Sequence, residues 1–396
     1  MDDCGGDGRR PRAVFMAFGT HGDVFPIAAL AAAFAKDQQQ YTVVFITHSA
    51  HQSLSTHLAA SNVRYMPVAS PPALAAEQLD SISYDSVQSN AGPESFSRRK
   101  EIIQTEHRKA CLASVEEVFG NDPSIHSDFT VINFFALVCW TDITHWMWAL
   151  FMESWGLWRN DCLNLSPIPY TDPVTNLPLW HVRAESPLLL YGFSKEIVER
   201  PGYWPSSAHI CGFWFLPMAR QFSCDKCREL FSGDFNSPFE GILCANHAGL
   251  EDFLMGSSYS SLPIFIGLSS IGRSIPYSWL FPKCAAAIHH AGSGSTAAAL
   301  FAGTPQVACP FLLDQFYWAE RLHWLGVAPE PLKRQHLIPD IDDAASVNKA
   351  AGVLLGAIRS ALSPEIKAQA TVIAQRLASE DGIGEALRIL KEKVLP

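Results

Sequence analysis

Small, hydroxyl-bearing and imidazole side chains come together after residue 289, in a combination suited to binding phosphate. His290 is followed by a turn built from Gly292, Ser293, Gly294, Ser295 and Thr296. Glycines allow a ligand to approach the backbone closely, and the free N–H groups at the start of a following helix attract anions. The imidazole of His290 can add a hydrogen bond to a phosphate oxygen. An ordinary strand, turn and capped helix would fit the same local pattern.

Two polar side chains, Asp314 and Gln315, follow the next apolar segment of the chain. This segment, residues 306–311, is predicted to be a strand, and ligands of open α/β sheets bind beyond the carboxyl ends of strands. A carboxylate next to an amide can hydrogen-bond several hydroxyl groups of a sugar. The two segments together therefore indicate a site for a sugar joined to a phosphate.

A second glycine-containing turn, GTHGDVFP, follows the first apolar segment and carries two candidate proton acceptors. Asp23 is the preferred general base, because a carboxylate on a rigid turn can take the proton of a hydroxyl group that attacks a sugar carbon. His21 is the competing base, since an imidazole titrates nearer to neutral pH. A structural alternative stays open, in which Asp23 only caps the helix that follows.

Four residues have the spacing of a zinc site: Cys224, Cys227, Cys244 and His247. Two pairs of ligands, each separated by two residues, suit a tetrahedral site of the structural kind. The alternative is a set of unconnected thiols. Any zinc here is expected to be structural, because the chemistry considered above needs no metal.

Short apolar runs alternate with helical stretches, a pattern typical of α/β proteins with parallel sheets. The predicted strands are residues 13–18, 42–47, 129–135, 285–288 and 306–311. An alanine-rich helix is expected to end at Ala35, and another is expected from Ala297 to Ala302, closed by Gly303. Amphipathic helical stretches are expected near residues 344–361 and 364–393.

The segment HHAGSGSTAAALFAGTPQVACPFLLDQFYWAERLHWLGVAP resembles the donor-site signature of UDP-glycosyltransferases, in the form carried by sterol 3-beta-glucosyltransferases. The resemblance implies that His290 and the backbone from Gly292 to Thr296 hold the pyrophosphate of the donor. It also implies that Asp314 and Gln315 hold the hydroxyl groups of glucose. The signature is highly specific, and its departures are small: Ala291 replaces a glycine and Ser293 an alanine.

Two segments upstream of this signature are also similar to the family. IPYSWLFP resembles PHDWLFP, which lies against the uracil, with Tyr277 in place of histidine, so Tyr277 and Trp279 are implied donor contacts. PIFIGLSS resembles the strand VYIGFGSM that opens the donor domain, and Ser269 near its end is a further implied contact.

Two segments in the first half of the chain are also similar to the family. GTHGDVFP resembles the family's GSRGDVQP: Thr20 and His21 replace Ser and Arg, while Asp23 is retained. The block from Leu190 to Leu216 resembles LYAFSxxVVxRPxDWPxxxxVTGYWFL of sterol glucosyltransferases and favours that branch over flavonoid or macrolide branches. Its aromatic residues Trp204, Trp214 and Phe215 are expected in the core.

The resemblance implies the GT-B architecture, two Rossmann-like domains facing across a cleft. It implies metal-independent, inverting transfer of glucose from UDP-glucose to the 3-beta-hydroxyl of a sterol, with no cofactor. One alternative is a catalytically impaired or non-catalytic relative that binds a UDP-sugar weakly or acts as an interaction protein. A second is a different acceptor, another lipid or a small hydrophobic alcohol. A nicotinamide-dependent Rossmann enzyme is disfavoured, because neither glycine turn reads GxGxxG followed by a ribose-binding acid.

The predicted domain organisation has four parts. Residues 1–10 are expected to be a disordered N-terminus, and 11–215 an N-terminal, acceptor-side Rossmann-like domain. Residues 216–262 are expected to be an irregular linker, and 263–396 the UDP-sugar-binding domain with its C-terminal helices. The length of 396 residues suits such an arrangement.

Both domains are expected to be incomplete. Between the strand at 263–270 and Pro276, the family has a helix, a strand and more, but a parallel crossover needs a dozen or more residues and few are present. A similar omission follows the predicted strand that ends near residue 135, where the family has further strands and helices. We therefore expect two internal segments to be missing, as in a shortened isoform or an imperfect gene model.

Tryptophan is concentrated in the segment WTDITHWMWALFMESWGLW, which includes Trp146, Trp148 and Trp155. Such rings favour apolar–polar boundaries, so these three residues are candidates for a sterol groove or for peripheral membrane contact. The alternative is a helix packed in the domain. The uncharged run from Cys284 to Leu313 contains glycines, prolines and histidines, which favour buried strands over a transmembrane helix.

Charge and composition exclude other classes of function. The formal net charge is −10, and the basic residues are scattered, which argues against a nucleic-acid partner. The first residues have no signal-peptide pattern, so a cytoplasmic protein with reduced cysteines is expected. Because a sterol acceptor lies in a membrane, the protein is also a candidate for peripheral membrane contact.

Overall fold

The computed structural model describes residues 10–69, 110–118, 128–133, 188–232, 243–255, 262–268 and 275–395, apart from single positions within these ranges. The chain divides into two compact units. The first contains Met1–Val138 and Leu390–Pro396, and the second contains Cys139–Ile389. The predicted boundary at residue 215 lies inside the second unit.

The described part of the first unit is built around a four-stranded parallel sheet. The strands are β1 (Arg12–Met16), β2 (Thr42–His48), β3 (Val63–Val68) and β4 (Phe129–Ile132), in the order β3-β2-β1-β4. Helix α1 (His21–Asp37) follows β1, and the short helix α2 (Ser55–Ala59) precedes β3. The strands predicted at 13–18, 42–47 and 129–135 and the alanine-rich helix are thereby confirmed.

Aromatic packing fixes α1 against this sheet. The ring of Phe34 lies 5.7 Å from that of Phe15 and 5.4 Å from that of Phe129. Val118 packs on a cluster that includes Val14 and Met16, so both faces of β1 are covered. This explains the nearly uninterrupted apolar sequence of β1, because a parallel strand buried on both faces needs no polar side.

The second unit begins with a small parallel pair of strands, β5 (Leu189–Tyr191) and β6 (Ala208–Ile210). Trp204 and Trp214 are buried, as predicted for this block. The Trp214 indole donates a hydrogen bond to the Gly382 carbonyl (3.0 Å). Residues 188–216 thus pack with elements near the C-terminus, which places them in the second unit.

The residues predicted to be an irregular linker contain three helices. These are α3 (Met218–Gln221), α4 (Asp225–Leu230) and α5 (Ala248–Met255). They share a small apolar core in which Phe222, Cys227 and Leu243 are buried with Trp279. The expectation of irregular structure is wrong here because burial of this core stabilises short helices that their own sequences would not.

A three-stranded parallel sheet forms the centre of the second unit. Its order is β7 (Ile264–Gly267), β8 (Ala286–His289) and β9 (Gln306–Ala308). The helix α6 (Tyr277–Leu280) lies between β7 and β8 in the chain, and α7 (Ser293–Ala302) between β8 and β9. The strands predicted at 285–288 and 306–311 are confirmed, although β9 ends earlier than expected.

Four further helices complete this part of the chain: α8 (Gln315–Trp324), α9 (Ala344–Ala361), α10 (Pro364–Leu377) and α11 (Gly382–Lys393). Helix α7 packs on α10, with Ala297 and Leu300 in the same core as Ala370 and Ile373. The stretch predicted at 364–393 is therefore two helices. None of the helices in the described ranges is both long enough and apolar enough to span a membrane.

Candidate functional site

The turn between β8 and α7 ends in a helix start that no side chain caps. Gly292 is the N-cap residue, with extended dihedrals, and the helix begins at Ser293. A side chain at position 292 would collide with its neighbour, because an added Cβ would lie 2.6 Å from the His290 Nε2 atom. The His290 ring therefore lies directly against the helix start. Imidazole and N-terminal backbone N–H groups can both donate to one anion there.

The buried neighbour of this histidine, His289, holds the turn in place. Its Nδ1 atom accepts a hydrogen bond from the Ala291 N–H (3.0 Å), and its Nε2 atom lies 2.8 Å from the Gln306 Oε1 atom. Since Nδ1 accepts, the proton resides on Nε2 and is donated to the glutamine. The roles of His289 and Gln306 were missed in the sequence. The available signal was their place on the same face of the neighbouring strands β8 and β9, where Gln306 pairs with Ala287, two residues before His289.

Ala291 adopts a left-handed conformation, with φ of 58°. Alanine rarely adopts this conformation, which costs about 1–2 kcal/mol. The family signature has glycine at this position, which removes that cost. A glycine here, as in the signature that this segment resembles, would adopt the same conformation without strain.

Ser295 and Thr296 lie inside the helix, because α7 begins earlier than predicted. Their side chains are only 2% and 1% exposed. Their contribution to an anion site is therefore through the helix start, and the exposed part of the turn is formed by Gly292, Ser293 and Gly294. Among the described residues, the buried Thr296 hydroxyl has no hydrogen-bond partner.

Asp314 and Gln315 lie where α8 begins, beyond the carboxyl end of β9. One carboxylate oxygen of Asp314, Oδ2, accepts a hydrogen bond from the Trp318 indole (3.0 Å). The Gln315 Oε1 atom accepts from the backbone N–H groups of Phe311 (2.9 Å) and Leu312 (3.0 Å). The glutamine carbonyl oxygen is thus engaged, and its NH₂ group is the part that can donate to a sugar oxygen.

Strands β8 and β9 are adjacent and parallel, so the turns that follow them lie at the same edge of the sheet. His290 and Asp314 follow these two strands. A helix start that suits an anion and a carboxylate therefore share one sheet edge, which is where open α/β sheets bind ligands.

Tyr277 and Trp279 lie in the protein interior. Trp279 is completely buried, and Tyr277 is 9% exposed, with its ring stacked on that of Phe281 (4.5 Å between centroids). The Lys283 ammonium lies 4.1 Å from the centre of a Trp279 ring. As placed, both aromatic side chains support the position of α6, and their contact with a donor stays a prediction.

In the first unit, Asp23 forms the cap of α1 with only one of its two carboxylate oxygens. Its Oδ2 atom accepts from both the backbone N–H and the hydroxyl of Thr20, each at 2.7 Å. No described residue donates a hydrogen bond to the other oxygen, Oδ1. Burial raises the pKa of this carboxyl, against the opposing effects of the Thr20 hydrogen bonds and of His51. The capping role and a role as base are therefore compatible.

Two histidines accompany this carboxylate. The His21 ring lies 5.3 Å from that of His51 and 4.7 Å from that of Phe25. The His51 Nε2 atom is 2.9 Å from the Gly19 carbonyl oxygen, and burial lowers the pKa of this imidazole. His51 was missed in the sequence. The signal was its position just after β2, which pairs with β1 and so brings both turns to one edge.

Gly19 and Asn133 shape the same turn. Gly19 has φ of +115°, and an added Cβ would lie 2.6 Å from the Asp23 Oδ2 atom. The Asn133 side-chain amide donates to the Phe18 carbonyl (2.7 Å) and accepts from the Phe18 N–H (3.1 Å). The carboxylate is thus held by Thr20, and the backbone of the turn is held by Asn133 at the end of β4.

Some predicted residues lie outside the described part of the chain: Ser269, Trp146, Trp148 and Trp155. The four predicted zinc ligands, Cys224, Cys227, Cys244 and His247, are all described. Their ligand atoms lie within 4.8 Å of one another.

A segment in the second half of the chain matches a known family model. Residues 256–373 match the C-terminal domain described as erythromycin biosynthesis protein CIII-like. The match covers β7 to α10 and therefore includes the turn at His290 and the pair Asp314 and Gln315.

Curated relatives are glycosyltransferases. The chain is 24% identical to sterol 3-beta-glucosyltransferase UGT80B1 of Arabidopsis thaliana, over 96% of this chain and 67% of the relative. It is 37% identical to UGT80A2 of the same plant over 50% of this chain and 32% of the relative. It is 29% identical to an O-mycaminosyltylonolide 6-deoxyallosyltransferase of Streptomyces fradiae, over 63% of this chain and 60% of the relative. The chain thus spans from a third to two thirds of the length of these relatives.

The alignment with UGT80B1 extends over 451 positions, which exceeds the 396 residues of this chain. It therefore contains gaps, at positions where the relative has residues and this chain has none. Such gaps agree with the expectation of missing internal segments.

Solved structures show the same fold. UGT89C1 of Arabidopsis thaliana, complexed with quercetin, matches with a TM-score of 0.55 and 12% identity over 98% of this chain and 100% of that one. CalG4, the calicheamicin glycosyltransferase, matches with a TM-score of 0.52 and 14% identity over the same shares. These are GT-B glycosyltransferases, and the parallel sheets of both units agree with that class. The chain is thus similar in sequence to glycosyltransferases, sterol 3-beta-glucosyltransferases among them, and its fold is that of the GT-B class.

Proposed function

We propose that this protein transfers glucose from UDP-glucose to the 3-beta-hydroxyl group of a sterol. The observation that carries the proposal is the uncapped start of α7, with the His290 ring against it, at the sheet edge that also carries Asp314. The similarity to plant sterol glucosyltransferases supports the acceptor class.

In this proposal the diphosphate is held by the backbone N–H groups at the start of α7 and by the His290 imidazole. These groups stabilise the charge that develops on the departing UDP, which is the largest contribution expected of a preorganised site. They are permanent donors, so no metal ion has to bridge the diphosphate. Asp314 accepts hydrogen bonds from glucose hydroxyls through Oδ1, while Gln315 donates from its NH₂ group.

The bond between the sugar carbon and the UDP oxygen breaks as a bond forms between that carbon and the sterol oxygen. The hydroxyl proton passes to Asp23 Oδ1, and the electron pair of the broken bond leaves with UDP. Attack from the face opposite UDP inverts the configuration at the sugar carbon. His21 is the alternative base.

The direct test is turnover by the purified full chain with UDP-glucose and sitosterol in detergent or liposomes. We expect a steryl glucoside, detected by mass spectrometry, and its loss in Asp23→Ala and His290→Ala variants. UDP-galactose and a flavonoid serve as alternative donor and acceptor. Product from the flavonoid and none from the sterol would overturn the acceptor assignment and leave the donor assignment intact.

A non-catalytic relative is the second candidate. It is favoured by the gaps in the alignment with UGT80B1 and by the direct pairing of β7 with β8, where the family has further elements between the corresponding motifs. Calorimetry separates the two candidates: UDP binding by a folded protein that forms no product from any acceptor would support the second.

A cytoplasmic location, with contact to the membrane that holds the sterol, is part of the first proposal. Fractionation of cell lysates tests it.

A further inference from the structure

Four potential metal ligands converge in a part of the second unit that the transferase chemistry does not use. Cys224 and Cys227 flank the start of α4, and Cys244 and His247 precede α5. The two pairs belong to segments separated by sixteen residues, 228–243, in the chain. Their ligand atoms nevertheless all lie within 4.8 Å of one another.

The distances match a tetrahedral zinc site. The Cys224 and Cys244 sulfurs are 3.7 Å apart, and the His247 Nδ1 atom lies 3.5 Å from the Cys227 sulfur and 3.4 Å from the Cys244 sulfur. With Zn–S bonds of about 2.3 Å and Zn–N bonds of about 2.0 Å, tetrahedral angles place two sulfurs about 3.8 Å apart and a sulfur and a nitrogen about 3.5 Å apart. Three of the six distances between ligand atoms are thus at the spacing that one ion in their midst requires, and the other three do not exceed 4.8 Å.

The backbone holds each ligand pair in a tight turn. The Arg228 N–H donates to the Cys224 carbonyl (2.9 Å), and the His247 N–H donates to the Cys244 carbonyl (2.7 Å). The two ligands of each pair are therefore kept close together, and hydrogen bonds around metal ligands help to orient them.

We propose that Cys224, Cys227, Cys244 and His247 bind one structural zinc ion. Four protein ligands fill a tetrahedral site and leave no position for water or substrate, which is the mark of a structural rather than a catalytic site. Binding converts three thiols to thiolates, so three protons are released as Zn²⁺ enters, and the imidazole binds in its neutral form through Nδ1. No oxidant or reductant takes part.

The zinc ion would stabilise the core beside the donor half of the protein. Cys227 and Cys244 are buried in one cluster with Ile275 and Trp279, and Trp279 belongs to α6, which precedes β8. The Glu251 carboxylate accepts a hydrogen bond from the Leu243 N–H (2.9 Å), which joins the start of the second ligand pair to α5. The metal therefore links two chain segments whose shared core is small.

The first experiment measures metal content. The full chain is purified after expression in zinc-supplemented medium, and we expect about one zinc ion per chain by mass spectrometry of the metal. Cys227→Ala should lose the metal, whereas Cys309→Ala should keep it. These two cysteines form a matched pair, because both are completely buried and only Cys227 belongs to the cluster. Equal zinc content in the two variants would overturn the proposal.

The second experiment needs no substitution. Chelation of the wild-type protein should lower its melting temperature and expose three additional cysteines to alkylation: Cys224, Cys227 and Cys244. Replacement of the metal by Co²⁺ should give the intense visible absorption of tetrahedral thiolate coordination. A folded protein that contains no zinc, shows no such absorption and has the same alkylation pattern with and without chelator would refute the site. Neither experiment depends on transferase activity.

Discussion

Replacement of Asp23 by asparagine separates the chemical role of this residue from its structural role. Both hydrogen bonds from Thr20 reach a single carboxylate oxygen, Oδ2. In Asp23→Asn the amide carbonyl can occupy that place and keep both bonds, while NH₂ replaces the oxygen proposed to act as base. An NH₂ group cannot accept a proton.

The expected effects of this substitution on turnover and on stability differ strongly in magnitude. Loss of a general base reduces turnover about 10²- to 10⁴-fold, which corresponds to about 2.7–5.4 kcal/mol in the activation free energy. Loss of a helix cap costs typically about 1 kcal/mol of stability, and here the cap is retained, so the change should be smaller. We therefore expect a nearly inactive protein with a nearly unchanged melting temperature.

The pH dependence supplies an independent check. Because burial raises the pKa of Asp23 above 3.8, the folded protein binds this proton more tightly than the unfolded chain does. The contribution of Asp23 to stability is therefore most favourable below that value and declines as the pH rises through the folded pKa. Relative to Asp23→Asn, the wild-type protein should lose stability over this range in thermal melts.

The assay is initial-rate formation of steryl glucoside, with thermal melting of the same samples and with His21→Asn as the matched variant. If Asp23→Asn retains turnover and His21→Asn loses it, the imidazole is the base. If Asp23→Asn loses activity only in proportion to a large fall in melting temperature, Asp23 acts as a helix cap and is not the general base.

Three further predictions concern the second unit. His290→Ala should weaken UDP binding in calorimetry by about 1.5–3 kcal/mol, the contribution of a hydrogen bond to a charged group; unchanged affinity would remove His290 from the site. Asp314→Asn should weaken the binding of UDP-glucose by about 1–2 kcal/mol, or 5- to 30-fold. It should leave the affinity for UDP unchanged, since only the sugar loses a charged hydrogen-bond acceptor. Gly303→Ala should lower the free energy of unfolding by about 1–2 kcal/mol, because Gly303 ends α7 with φ of +64° and an added Cβ would lie 3.3 Å from the Ala374 Cβ atom. Gly356→Ala is its control, as an added Cβ there meets nothing within 4 Å and an alanine in a helix interior is favoured.

Several elements could be predicted because their signals are local. The start of β1 and the end of α7 at Gly303 follow from a buried apolar run and from a left-handed glycine, and the structure has both. Predictions failed where a tertiary contact competes with the local pattern. Helix α7 begins at Ser293 rather than at Ala297, and its N-cap position is Gly292, where the His290 ring leaves no space for a side chain.

The segment predicted to be a linker shows the same limit of prediction from local patterns, over a longer stretch of the chain. Its Ser, Gly and Pro content indicates irregular structure, but three short helices form because they share a core with Trp279, which lies far along the chain. Likewise, no pattern within the segment around His51 reveals that this imidazole lies beside the turn of Asp23. Only the pairing of β1 with β2 brings the two together.

The sequence by itself determined the α/β class of the fold, the segments that resemble a donor signature and the spacing of the cysteine and histidine residues. These depend on which residues follow one another, and the chain order specifies that directly. The tertiary structure alone decided which carboxylate oxygen of Asp23 is engaged, that His289 supports His290, and that two distant ligand pairs meet at zinc-like distances. Each of these depends on atoms from separate segments, and their positions are set by packing and backbone pairing of the folded chain.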